Sequence, residues 1–419
     1  MLTIFFLVRR SLAQHALSTG VTIAAAALAS GLVMAVFAIS AQTREAFVKD
    51  PGFDAVVGAR GSQLQLVLNS VFHLETSPGN IPWTLYRELR EDPRIELAVP
   101  YAVGDNYLGF RIVGTTREMF LRFEYRAGER FRVRDGGRLF DEELREGVIG
   151  SHVAVRTGLK VGSRFHAYHG VTYDPKEKHA GAYVVVGVLE PTNSPADRVV
   201  WIPIEGIFRM DRHVLRGTGE EYEAQPGRPI PDEHKEVSAV MLKFRGEGTM
   251  TGFRLQNRIN RQGKVATMAW PIAAVMKDLF EKLFWVTRVL TLVAYLVVAV
   301  SVGAILASIY NTMNERRREF AILRALGARR ATVFSAIVAE AATIATFGTV
   351  LGYLVYGVIL ASAAYVIRSR TGVALDVFAF HDVFWITPIV MVALGALAGL
   401  LPAFKAYGTP VAENLVPTA

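Results

Sequence analysis

Four stretches of this chain are too long and too apolar to be packed inside an ordinary soluble domain. They run from Ala16 to Ala41, from Val289 to Asn314, from Ala331 to Ile367 and from Val383 to Phe404. The first two carry no charge, and the third is interrupted only by Glu340. A bilayer core takes about 20 apolar residues as helix, so each stretch predicts one transmembrane span. The third, at about 37 residues and roughly 55 Å as helix, exceeds one upright crossing. It is expected to protrude at one end. Glu340 then falls near the cytoplasmic interface, away from mid-depth, where a charge is costly.

Arginine and lysine in the short connections set the orientation. Arg9 and Arg10 precede the first span, six arginines between Arg316 and Arg330 separate the second from the third, and Lys405 follows the fourth. Arg368 and Arg370, between the third and fourth, are offset by Asp376 and Asp382. Both termini and the arginine-rich loop are therefore expected in the cytoplasm, with the long segment after Gln42 outside. A cleaved signal peptide is the rival reading of the first span, but its apolar run is longer than such segments carry. Residues Leu2 to Leu17 read either as an amphipathic helix in the membrane interface or as an extension of the first span.

Charged residues still make up 20% of the chain, more than a bundle of spans alone would carry, so a sizeable water-facing domain is implied. The net charge of +8 gathers at the ends of apolar runs, which argues for a membrane face and against nucleic acid. With no cysteine, disulfides and thiolate chemistry are excluded.

The fold class expected is a membrane protein of four transmembrane α-helices, with a large two-lobed α+β extracytoplasmic domain between helices 1 and 2. Residues 1–41 form the N-terminal helix and first span, 42–280 the outer domain, and 281–419 the remaining spans. Within the outer domain, Phe53–Gly58, Ile95–Val103, Tyr107–Val113, Tyr183–Leu189, Val199–Ile204, Glu236–Phe244 and Val265–Trp270 read as strands. Pro82–Glu91 and Thr251–Gln262 read as helices. Gly61 to Leu74 reads as a loop whose Val67, Leu68, Val71, Phe72 and Leu74 either pack in the core or meet a lipidic or protein partner. An inserted lobe is placed near 115–235.

The most informative segment is the run from Asn314 to Arg330, NERRREFAILRALGARR. Apolar Phe320, Leu323, Ala325, Leu326 and Ala328 interleave with charges, as in a short amphipathic helix along the inner membrane face. Gly327 is a natural stop for it. On composition alone this is a positive-inside anchor. Its residue order closely resembles the coupling segment of the FtsX-like permeases. Leu401-Pro402-Ala403, with Ala406, Pro410 and Val411, is similar to that family's C-terminal motif, with Thr409 replacing its usual Asp. In the outer domain, Gly150 to Gly162 and the segment from Val184 to Pro203 resemble the MacB-type periplasmic core domain, an architecture related to LolC and LolE.

The resemblance implies a permease subunit of an ABC transporter that couples ATP hydrolysis on a separate ATPase to movement of a periplasmic domain. A helix 315–328 would dock on the ATPase, through Glu315, Arg316, Arg317, Arg318, Glu319, Leu323, Arg324, Ala325, Leu326, Gly327 and Ala328. It also implies a second permease copy or paralogue, contact with membrane lipid, the bacterial inner membrane as location, and a periplasmic adaptor or membrane-fusion protein as a further partner. Substrates of this family include lipids, peptides and lipoproteins. A signalling scaffold acting on a cell-wall hydrolase, as in FtsX, is the alternative, although the outer domain is larger than FtsX-type domains. No G-x-x-x-x-G-K-[ST] run occurs in the sequence, so ATP hydrolysis by a P-loop is not expected here. No cofactor and no catalytic residue is expected.

Two features have bland readings beside functional ones. Gly348 with Gly352, and Gly395 with Gly399, are G-x-x-x-G pairs suited to close helix packing within or between subunits. His166 and His169, with His179 further on, lack an acidic partner in the sequence, so no metal site is assigned to them.

Overall fold

The computed structural model describes residues 2–48, 52–126, 128–211, 213–225, 227–246, 248–372, 375–376 and 379–408. The C-terminal Thr409, Pro410 and Val411 lie outside the described residues. The chain divides into two compact units, residues 1–43, 283–365 and 375–419 in one and 44–282 with 366–374 in the other.

The first unit is helical. Helix α1 spans Leu2–Gln14 and α2 Ala16–Val48. The amides of His15 and Thr19 donate to Ser11 O and His15 O, so helical bonding continues across the junction. Val8 and Ser11 are buried while Phe5, Phe6, Arg9 and Arg10 face outward, which makes α1 both amphipathic and an extension of the first span. Helix α3 spans Phe284–Glu315, α4 Arg317–Ala325, α5 Arg330–Thr371 and α6 Val383–Gly408. Four of these helices, α2, α3, α5 and α6, are long and apolar enough to cross a membrane. Their large side chains, among them Leu292, Val300, Leu354, Val358 and Ile389, face outward, as lipid solvation allows. The 42 residues of α5 make a continuous rod of about 63 Å, twice a bilayer core.

Helices α2, α5 and α6 approach closely because small residues line their contacts. A Cβ on Gly348 would collide with Ala26, and one on Gly352 with Ser30. On α6, Gly395 and Gly399 sit against Ala345 and Ala341 of α5. Both G-x-x-x-G pairs are thus spent within the chain.

The second unit is built on one nine-stranded sheet. Its strands are β1 (Ala55–Ala59), β2 (Ile95–Tyr107), β3 (Phe110–Thr115), β4 (Glu146–Ile149), β5 (Arg164–His169), β6 (Lys178–Val188), β7 (Val200–Pro203), β8 (Ala239–Phe244) and β9 (Ala266–Ala269). The order across the sheet is β9-β1-β8-β2-β3-β7-β4-β6-β5. Strand β7 runs parallel to β3, and β4 parallel to β6; the other neighbours are antiparallel. Alternation sends side chains to two cores. Ala55, Val57, Val200, Ile202, Val240 and Leu242 pack on one face, and Val56, Val199, Trp201, Ala239 and Met241 on the other.

Helices Trp83–Glu91 and Thr249–Asn257 cover the first face, with Tyr86, Leu89 and Leu255. Helices Gln63–Ser70 and Ile272–Lys282 cover the second, with Leu66, Val67, Ile272 and Met276. The first of these is a departure from the expected loop at 61–74. Ser62 caps it by accepting from the Gln65 amide, and Val67 and Phe72 are core residues. The segment expected as an inserted lobe, near 115–235, leaves at the end of β3 and returns before β8. Its strands β4 to β7 extend the same sheet.

Candidate functional site

The arginine-rich segment between α3 and α5 folds as the short helix α4 with two unlike faces. Phe320 is buried with Ile305, Ile309, Met313, Val333 and Ile337 of the flanking helices, and Ala321 is buried as well. Arg317, Arg318, Glu319, Ile322, Ala325 and Leu326 face outward, and Leu326 keeps 81% of its surface exposed. Arg316 departs from this pattern. Its side chain is buried, 3.7 Å from the equally buried Glu340 of α5, and its Nε donates to Glu319 at 3.1 Å. Ser11 Oγ of α1 donates to the other Glu340 oxygen at 2.5 Å. Arg316 therefore ties α1, α4 and α5 together and presents no charge outward. Glu315, largely exposed, meets His15 Nδ1 at 3.3 Å. Leu323, Arg324 and Ala328 are half-buried.

The end of α4 has a specific backbone form. Gly327 has φ +98°, the left-handed region that a side chain disfavours. The Gly327 amide donates to Arg324 O and the Ala328 amide to Leu323 O, at 3.1 and 3.0 Å. This pair of reversed bonds is the Schellman arrangement, which satisfies carbonyls that the helix end leaves free.

In the second unit, the fold supplies what the sequence withheld from the histidines. Asp105 of β2 stands opposite His169 of β5 in register, so both side chains share a sheet face. His179 at the start of β6 and His213, beyond helix Ile204–Phe208, complete the group. His166 stays outside it, with Nδ1 3.1 Å from His179 O. Burial alone would raise the Asp105 carboxyl; hydrogen bonds with His179 and His213 outweigh it and hold the group at about 2. Asp105 and His213 went unrecognised in the sequence, because only long-range pairing brings them near the His166–His169 run.

Two family models match the chain. The FtsX-like permease C-terminal model matches residues 291–411, and the MacB-like periplasmic core domain model matches residues 19–251, more than half of the chain. The chain belongs to the MacB/FtsX-like family of ABC transporter permeases, and it is a multi-pass membrane protein with a mixed α/β domain after its first span. Among solved structures, it is similar to the periplasmic region of MacB from Actinobacillus actinomycetemcomitans, at 11% identity and TM-score 0.33, covering 55% of this chain and 94% of that one. It is also similar to the extracellular domain of the noncanonic ABC-type transporter YknZ from Gram-positive bacteria, at 16% identity and TM-score 0.29, covering 51% of this chain and 97% of that one. No curated protein matches it.

Proposed function

We propose that this chain is the non-catalytic permease subunit of an ABC transporter whose ATPase is a separate chain, and that α4 is the docking element for that ATPase. The observation that carries the reading is the two-faced helix α4. Its inner face is anchored by Phe320 and by the Arg316–Glu340 pair, while its outer face sets Arg317 and Arg318 beside Ile322 and Leu326. An exposed leucine flanked by arginines suits a partner that offers an apolar pocket with an acidic rim.

In this reading, residues 316–330 and both termini lie in the cytoplasm and the sheet domain lies outside the bacterial inner membrane. ATP binding moves α4, and the movement passes through α3 and α5 to the outer domain. The cargo is a lipidic, peptide or lipoprotein molecule, and the working unit holds two permease chains. The glycine pairs are occupied within the chain, so such a dimer uses other helix faces.

The test is co-expression and co-purification with the ATPase partner this reading requires, comparing wild type with Arg317→Ala/Arg318→Ala and with Leu326→Ala. Loss of complex in both variants, with unchanged elution of the permease itself, is expected. Retention of complex and of ATPase stimulation in both would refute docking through α4. Reporter fusions at Gly137 and Arg330 should report opposite sides of the membrane; the same side would refute the topology.

A further inference from the structure

We propose that Asp105, His169, His179 and His213 form a binding site for a zinc-class divalent transition metal in the outer domain. The assignment rests on local geometry and is independent of the permease reading.

The three imidazoles converge on one carboxylate. His179 Nε2 lies 3.2 Å from Asp105 Oδ1, His169 Nδ1 lies 3.4 Å from the same oxygen, and His213 Nε2 lies 3.3 Å from it as well. Ligands held about 2.0–2.2 Å from a tetrahedral zinc ion stand roughly 3.3–3.5 Å apart, so these separations match the edges of that polyhedron. No two of the four ligand atoms are more than 4.8 Å apart, and small side-chain rotations close the figure. The three imidazole rings stand around the carboxylate with centroids 5.3–5.7 Å from one another, each edge-on to the next.

Hydrogen bonding alone accounts poorly for this group. Among the described residues, Asp105 Oδ2 and His179 Nδ1 are buried without a hydrogen-bond partner. Buried polar atoms are rarely left so, and a bound ion is one of the accepted reasons. His179 is wholly buried, with Nε2 toward Asp105 and Nδ1 3.5 Å from Asp211 Oδ1. A metal-bound imidazole commonly offers its second nitrogen to a carboxylate, which fixes ring and tautomer. Asp211 is itself held in place, since the Ala180 amide donates to both its oxygens at 3.2 Å.

The donor chemistry selects the ion. Three imidazoles and one carboxylate suit zinc, cobalt, nickel or copper, whereas magnesium and calcium prefer all-oxygen shells. With four protein ligands the site has no open position for a reacting water, which marks a structural or sensing site and not a hydrolytic one. His169 keeps about half of its side chain exposed, so an ion has a way in. A bound ion would clasp β2, the β5–β6 hairpin ends and the segment after Phe208, which are far apart in sequence.

The experiment uses the full-length chain in detergent, stripped with a chelator and then dialysed against zinc(II), with metal counted by mass spectrometry. Wild type should retain one ion per chain. His179→Ala and His213→Ala should each lose it, and Asp211→Asn should weaken binding about 10–100-fold. His213→Cys guards against misfolding of the alanine variants. Loaded with cobalt(II), it should keep the ion and gain a thiolate-to-metal charge-transfer band that wild type lacks. The proposal is overturned if wild type holds zinc no more tightly than His179→Ala, or if cobalt-loaded His213→Cys shows no thiolate band.

Discussion

Removing one partner of the buried Arg316–Glu340 pair should cost more than removing both. At 3.7 Å and an effective dielectric constant of about 20, the two charges attract by about 4–5 kcal/mol. Desolvating two ions costs several kcal/mol each, so the intact pair contributes little net stability. A single replacement is different, because it leaves the other charge buried with only part of its pairing. Arg316→Met strands a carboxylate that retains only Ser11, and Glu340→Leu strands a guanidinium that retains Glu319 and the face of Phe320. Arg316→Met should lose about 3–5 kcal/mol, Glu340→Leu less because Glu319 still pairs with the guanidinium, and the double variant less than Arg316→Met alone. The assay is unfolding of the full chain in mixed detergent micelles, analysed as a double-mutant cycle. Glu315→Ala is the exposed comparison, with an expected change within about 0.5 kcal/mol. If the two single losses simply add in the double variant, or if both resemble the exposed comparison, the buried pair is not what locks α1, α4 and α5 together.

Three further outcomes are expected. Gly327→Ala places a side chain at φ +98°, so it should cost about 1–2 kcal/mol and speed hydrogen exchange at the Gly327 and Ala328 amides; unchanged exchange would rule out the reversed-bond terminus. Gly352→Val should lower the melting temperature through overlap with Ser30, whereas Gly357→Ala, with open space around it, should leave it unchanged or raise it; equal effects would contradict the packing described. His73 is held at about 3 by burial and by the nearby Arg111 charge, against an ordinary value of 6.5. The folded state keeps it neutral, so its stability is complete above about pH 6.5 and is lost as pH falls toward 3. A loss of about 1–2 kcal/mol between pH 7.5 and 5 should appear in fluorescence-monitored melting and be flattened in His73→Gln.

The spans and α4 were legible because their signals are local. Apolar length marks α2, α3, α5 and α6, and the order from Glu315 to Ala328 marks the segment between α3 and α5. Which face of α4 is free was not legible, because Arg316 and Arg317 look alike in sequence and differ only in packing. Most strands could be read from β-branched runs, but β5 could not, since Arg164–His169 contains no β-branched residue and alternates polar with apolar side chains. Helix Gln63–Ser70 hid behind the glycines and prolines around it. The Asp105–histidine group had no spacing to find, because its members meet only through the pairing of β2 with β5 and the return of the chain after Phe208.

Strand β2 belongs to both halves of the sheet, pairing with β3 along one edge and with β8 and then, near its end, β5 along the other. The ladders on either side therefore cannot fray apart without breaking bonds made by the same 13 residues. In terms of opening events, β2 should be the last part of the domain to exchange its amide hydrogens, at the rate of global unfolding, while β9 and the outer end of β5 open earlier. A domain organised in this way behaves as one cooperative body. Motion delivered to one edge is then carried by the whole sheet, and is not absorbed by a hinge within it.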